Sequence, residues 1–275
     1  MKYPGEVWRL CYPARMTEAA ESGLTCNKLS ITVPGRTLVD NLNLEIHAGD
    51  VLAVLGPNGV GKSLTLHTLA GLRATDGGVV TLDGQSVTGL SRQQVATRLA
   101  LLPQYVEDVF PASVFDTVMI GRHPHIPRFQ WETERDRTIA EESLGLVDLG
   151  DMPQRDIATL SGGERRRLAI AQVLTQSPNI YLLDEPTNHL DPQHQLDVLR
   201  IFRDKASSGA AVVASLHDIN LAARFADRCL LLYGDGRWEL DETNAILTEK
   251  RLTELYGTIM ETVAWRSTRL FVAAG

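Results

Sequence analysis

The sequence predicts an α/β fold: a mostly parallel sheet covered on both faces, with an antiparallel β arm and a helical insertion. Three observations predict it. Short, wholly apolar runs end at Gly, Asp or Ser, as strands buried on both faces do. Stretches of helical composition alternate with those runs, the pattern of βαβ units in a parallel sheet. Between about residues 91 and 160 strand-like runs become few and charged helical stretches replace them.

Residues 1–23 have no clean period and carry Pro4, Gly5, Pro13 and Gly23. They are expected to form a loose N-terminal extension, with Met16 as an alternative start. The run Val51-Leu52-Ala53-Val54-Leu55 stops at Gly56 and reads as a buried strand; residues 62–72 then place Leu64, Leu66, Leu69, Ala70 and Leu72 at mostly helical spacing. Val79-Val80-Thr81-Leu82 before Asp83-Gly84 reads as a small hairpin arm, because Asp-Gly suits a turn with positive φ. A Pro/His/Arg-rich loop at 122–128 and a charged helix at 132–144 mark the insertion. Strand signals return at 180–183 before Asp184-Glu185, at 211–214 before Ser215, and at 230–233 before Gly234.

Composition narrows the function classes. Of 275 residues, 44% are apolar and 22% charged, which is ample for the core of one large domain or two small ones. A net charge of −7 argues against sequence-independent binding of DNA or RNA, which needs Lys and Arg to neutralise phosphates. The longest apolar runs are about five residues against roughly 20 for a membrane-spanning helix, so no span is expected. Cys11, Cys26 and Cys229 are odd in number and form no CxxC pair, which fits a reducing cytoplasm. The first residues hold no apolar core of the kind a secretory signal requires, so none is expected.

Three motifs carry chemistry. Gly56-Pro57-Asn58-Gly59-Val60-Gly61-Lys62-Ser63 matches G-x-x-x-x-G-K-[ST] between a strand and a helix. Its glycines let several backbone N–H groups converge on one anion, and the following helix adds the positive end of its dipole. Lys62 is suited to the β- and γ-phosphates of a nucleotide and the Ser63 hydroxyl to magnesium. Asp184-Glu185 closes an apolar strand, where open α/β sheets bind ligands; one carboxylate can hold a metal and the other activate water. Leu160-Ser161-Gly162-Gly163-Glu164 opens a helix with a good N-cap and makes a second anion nest, more than one nucleotide needs. Arg165-Arg166-Arg167 behind it is expected to be a solvated face.

With further markers in order, the chain resembles the ATP-binding-cassette (ABC) family over about residues 24–245. Those markers are a glutamine loop at Leu102-Pro103-Gln104, the signature at Leu160 to Glu164, a D-loop at Asn188-His189-Leu190-Asp191 and a switch histidine at Ser215-Leu216-His217-Asp218. The resemblance implies a P-loop NTPase (RecA-like) core at 24–90 and 165–245, a helical insertion at 91–164, and a tail at 246–275 packed on the core. It implies ATP and Mg2+ as ligands. Gly56, Pro57, Asn58, Gly59, Val60, Gly61, Lys62, Ser63 and Leu64 would bind the nucleotide, while Ser63, Gln104 and Asp184 would hold magnesium. Glu185 would be the general base, His217 would bond the γ-phosphate, and Gln104 would touch magnesium or the attacking water. A second copy, packed head to tail, would supply Ser161, Gly162, Gly163 and Glu164 in trans, and Asp191 would link the two sites.

Two positions depart from the family pattern. Val33 stands where an aromatic residue normally stacks on adenine, and Leu64 replaces the usual threonine after Ser63. The adjacent Thr65 is not expected to compensate, because the next position on a helix points elsewhere.

The 110–118 segment and Gly121-Arg122-His123-Pro124-His125 resemble importers of metal chelates: iron-siderophore, haem or cobalamin. That resemblance implies a separate dimeric membrane permease, a periplasmic substrate-binding protein acting indirectly, and a peripheral place on the cytoplasmic face of the inner membrane. His123 and His125 are then structural or permease-facing. The alternative is a non-transport cassette such as an iron–sulfur-assembly factor, which only the 110–125 resemblance opposes.

Overall fold

The fold is taken from a computed structural model that describes residues 23–105, 111–266 and 268–274. The expected N-terminal extension, apart from Gly23, lies outside the described residues, as does Phe110 of the importer-like segment.

β1 (Gly23–Val33) and β2 (Arg36–His47) pair antiparallel across Pro34-Gly35. β3 (Val51–Leu55) leads into α1 (Lys62–Leu69), and β4 (Gly77–Leu82) with β5 (Gln85–Ser86) forms the expected hairpin arm. Then come α2 (Arg92–Ala96), β6 (Leu99–Leu102), α3 (Val114–Met119), α4 (Glu134–Leu146) and α5 (Gly162–Gln176). Next are β7 (Ile180–Asp184), α6 (Pro192–Ser207), β8 (Ala211–Ser215), α7 (Ile219–Phe225), β9 (Arg228–Leu232) and β10 (Trp238–Glu242). The chain closes with α8 (Thr243–Ile246), α9 (Glu249–Tyr256), β11 (Met260–Trp265) and β12 (Thr268–Ala273).

The central sheet runs β10-β9-β3-β8-β7-β6, parallel except for the antiparallel edge strand β10. Its strands are apolar throughout because both faces are covered. Val51, Ala53 and Leu55 of β3 pack into the core shared with α5, α6 and α7, while Leu52 and Val54 pack into the core shared with α1 and the β2-β1-β4-β5 sheet. β7 and β8 alternate in the same way, Tyr181 and Leu183 on one side, Ile180 and Leu182 on the other. Each such side chain contributes roughly 1.5–3 kcal/mol by leaving water.

Three local expectations need correction. Leu99–Leu102 lies in a stretch read as helical, yet it is the edge strand β6, paired in parallel with β7. Four residues of Leu-Ala-Leu-Leu carry neither β-branched composition nor alternation, so only its neighbour reveals it as a strand. The helix after the glycine-rich loop stops at Leu69 rather than at 72: Gly71 N–H donates to Thr68 C=O and Leu72 N–H to His67 C=O, the paired closure of a Schellman motif.

The Arg165–167 run is not a solvated face. Arg165 donates to the carbonyls of Leu160 and Ala158, Arg167 to those of Val147 and Asp148, and Arg166 is 6% exposed. Guanidinium donors are here satisfied by loop carbonyls, which a charge count along the chain cannot register.

α3, α4 and α5 pack together, joined by a buried ion pair. Arg122 Nε lies 2.8 Å from Asp136 Oδ1 and its Nη1 donates to Thr175 O. Hydrogen bonds from Thr133, with Arg122 adding its charge, hold Asp136 down to about 2. His125 Nε2 bonds Gln176 O at 2.8 Å, a structural use of that histidine.

Candidate nucleotide site

The carboxyl ends of β3, β6, β7 and β8 lie side by side, and each delivers motif residues to one groove of about 490 Å³. Its lining includes Asn58, Gly61, Lys62, Ser63 and Leu64 from the glycine-rich loop, Gln104 after β6, Glu185 and Asn188 after β7, and His217 after β8. This is the crevice where open parallel sheets bind ligands.

The loop's geometry follows from its glycines. Gly56 has φ +150° and sits so close to β9 that a Cβ would meet Leu232 O at 2.4 Å. Gly61 caps α1 in a left-handed conformation. Lys62 Nζ is buried and donates to Gly56 O at 2.8 Å and Pro57 O at 3.1 Å, so it is tied across the loop it follows. Burial pulls its pKa down, while the charges of Glu185 and Asp184 push it back up. Leu64 lines the groove, and Thr65 turns away to donate its hydroxyl to Gly61 O, as the helical spacing required.

The carboxylates are held by a denser network. Glu185 is 6% exposed and adopts φ +51°, a left-handed conformation costing a non-glycine residue about 1–2 kcal/mol. Its backbone N–H donates to Ser215 Oγ at 2.9 Å, and its carbonyl accepts from Arg166 Nη2 at 2.8 Å and from Asn188 N. Its side chain receives Gln104 Nε2 at 2.8 Å and Asn188 Nδ2, and lies 2.5 Å from His217 Nε2. Ser215 Oγ also donates to Asp184 Oδ1 at 2.6 Å. Asp184 Oδ2 is buried and has no hydrogen-bond partner among the described residues, which suits a cation. The half-buried Ser63 lines the groove, and its hydroxyl and the Asp184 carboxylate are hard oxygen donors of the kind magnesium takes.

Arg166, Asn188 and Ser215 lie in stretches named above but were given no role in the site from the sequence. Arg166 bonds the carbonyls of Pro103 at 2.7 Å, Gln104 at 3.3 Å, Asp184 at 2.5 Å and Glu185 at 2.8 Å, so one side chain ties the signature helix to the glutamine loop and the acidic strand end. Burial draws its pKa down to about 10, opposed by Asp184 and Glu185. Ser215 had a readable signal, since it ends an apolar strand as Asp184 does, and the structure pairs the two in register. Arg166 had none, because a buried and an exposed arginine look alike in sequence.

The signature residues are not in this groove. Ser161 caps α5, its hydroxyl accepting from Glu164 N while Ser161 N donates to Glu164 Oε2, a capping box. Those bonds, with Arg155 beside it, hold the Glu164 carboxyl below its usual range. Ser161 and Gly162 are exposed. Gly163 adjoins the D-loop, where a Cβ would come within 3.3 Å of His189 O. Asp191 caps α6 by accepting from His194 N, and bonds the His194 ring.

A larger hollow of about 630 Å³ beside β10 collects none of the motif residues. Several of its polar groups are already paired, Tyr233 with Glu239, Arg237 with Asp235 and Glu254, and Trp238 with Asp40 O.

Fold and site together define an ATP-binding P-loop NTPase, and comparison with known proteins narrows the class. The ABC transporter family profile matches residues 39–188. The chain is 39% identical over 249 residues to the hemin import ATP-binding protein HmuV of Gloeobacter violaceus, covering 88% of this chain and 89% of that one. It superposes with a TM-score of 0.80 and 30% identity on a chain from an inward-facing structure described as a metal-chelate type ABC transporter, covering 92% of this chain and 98% of that one. MJ0796, a bacterial ABC transporter cassette solved as a dimer, gives a TM-score of 0.70 at 26% identity, over 80% of this chain and 98% of that one. The chain belongs to the ABC transporter family. Its enzymatic class is that of the family's ATP-binding cassettes, which couple ATP hydrolysis to transport.

Proposed function

We propose that this chain is the ATP-hydrolysing subunit of an importer for a metal chelate, haem being favoured by the name of the HmuV relative. One observation carries the catalytic part: Lys62, Gln104, Glu185 and His217 converge on one groove, while the anion nest at Ser161 faces outward on the same chain.

In this reading the triphosphate lies on the N–H groups of the 56–63 loop, with Lys62 at its β- and γ-oxygens. Asp184 and Ser63 hold Mg2+, which would neutralise charge on the phosphate oxygens when bound. Glu185 takes a proton from water as that water attacks the γ-phosphorus in line and the bond to the β-phosphate oxygen breaks, leaving ADP and inorganic phosphate, while Gln104 and His217 position water and phosphate. Both Glu185 oxygens are engaged, by Gln104 and Asn188 on one and His217 on the other.

The exposed Ser161 and the half-buried Gly163 of a second copy would close the groove over the γ-phosphate. ATP then joins two cassettes and hydrolysis separates them. Asp191 would lie at the junction. That motion would drive a separate dimeric membrane permease, fed by a periplasmic substrate-binding protein, from the cytoplasmic face of the inner membrane. No helix of the described residues is long and apolar enough to cross a membrane, which is consistent with the translocation path lying in another chain.

The test is reconstitution with a candidate permease in liposomes, measuring ATP hydrolysis and uptake with haem, a ferric siderophore or cobalamin. Stimulation by one chelate is the expected result. Hydrolysis indifferent to permease and to every chelate would overturn the import reading.

A further inference from the structure

We infer that Arg36 is the platform for the nucleobase, a proposal that rests on ATP binding at the glycine-rich loop. The groove has three kinds of wall. The loop residues take the phosphates. The acids and their donors, Gln104, Glu185, Asn188 and His217, are bonded to one another around Glu185. The remaining lining from the β1–β2 hairpin is Val33, Arg36 and Leu38. Of these Leu38 is spent on the loop itself, lying where a Cβ on Gly61 would meet it at 3.2 Å. A nucleotide with its phosphates in the loop must lay its flat, apolar-faced base along the hairpin wall.

No Phe, Tyr or Trp is found in the groove lining among the described residues. Arg36 offers the planar group instead. It is the cross-strand partner of Val33 across the Pro34-Gly35 turn, so the two side chains share one side of the hairpin. Its Nε donates to Gly234 O at 2.6 Å, and a Cβ on Gly234 would collide with its Nη2 at 2.6 Å. The guanidinium is thus seated against backbone that only glycine leaves open. It has no carboxylate partner among the described residues, and the residue is exposed. A guanidinium fixed by one bond has already lost much of its rotamer freedom, and its face stacks on aromatic rings. Val33 supplies the apolar edge of the same clamp. Stacking reads the face of a base rather than its edge, so ATP and GTP should bind with similar affinity.

The experiment is calorimetric titration of the full chain with ATP, GTP and inorganic tripolyphosphate, after thermal melting confirms that each variant folds. Arg36→Ala is expected to weaken ATP and GTP by about tenfold and to leave tripolyphosphate unchanged. Arg36→Lys, which keeps the charge and loses the plane, should lose most of the same affinity. Adding Val33→Tyr to Arg36→Ala should restore ATP binding, because a ring replaces the missing plane.

Equal weakening of tripolyphosphate would make Arg36 a phosphate contact and overturn the proposal. So would full ATP affinity in either Arg36 variant. If Arg36→Ala does not fold, Arg36→Lys and Val33→Tyr in the parent decide the matter on the same readouts. A parent chain that binds neither ATP nor tripolyphosphate in a Lys62-dependent way would instead sink the ATP-site reading itself.

Discussion

The two anion nests of this molecule are built in opposite ways. The glycine-rich loop is locked from within: Lys62 is tied to two loop carbonyls, Glu185 is held by side chains from three strand ends, and Lys62, Glu185 and Ser215 are buried. The nest at Ser161 is held by its capping box and the Arg155–Glu164 pair, and its first two residues face solvent. Preorganised donors lower a barrier without further reorganisation, which suits a catalytic half. An exposed helix start on a rigid block suits a half offered to another molecule. The helical block beneath it is stiffened by the buried Arg122–Asp136 pair, and Arg166 joins that block to the groove.

The sharpest way to break this contrast is Glu185→Gln. Hydrolysis should fall about 10²–10⁴-fold while ATP still binds, and the ATP-bound chain should elute as a dimer. Near-normal phosphate release would remove Glu185 from the chemistry and leave the inner half without a base. Next in size is Arg166→Met. Several buried carbonyls lose charged donors, and the urea midpoint should report about 3 kcal/mol of lost stability. An unchanged midpoint and turnover would show that the two halves are not joined through this side chain.

The acid dependence of the block comes third. Asp136 titrates lower in the folded chain, about 2, than its ordinary 3.8, so its stabilisation is complete above pH 4 and disappears as the pH falls toward 2. The slope of stability against pH over that window should flatten in Asp136→Asn, by about 2 kcal/mol in total. A slope equal to the parent's would mean that other carboxyls carry it. The smallest effect belongs to Ser161→Ala, about 1 kcal/mol from the lost cap. ATP binding to a single copy should be unaffected, and ATP-driven association measured by light scattering should weaken. If association held while single-copy binding fell, the outward nest would belong to its own chain's site.

How much was legible can be judged residue by residue. The strands 51–55, 180–184 and 211–215 were readable because burial on both faces leaves an unbroken apolar run, and the motifs sit at their ends. Ser161 as a cap was readable because the box needs only Ser and Glu three residues apart. β6 was not, being four residues whose strand character comes from its neighbour. Asn188 was read as part of a loop motif, but its bond to Glu185 depends on how the chain turns after β7.

Chemistry that depends on local order was therefore settled by the amino-acid sequence: the phosphate loop, the acidic strand end, the capped signature helix and the ABC family they mark. What only the tertiary structure decided is which distant side chains meet there. Arg166 and Arg36 acquire their contacts from carbonyls 18 to 198 residues away, because parallel strand ends and a hairpin edge come together only when the sheets pack.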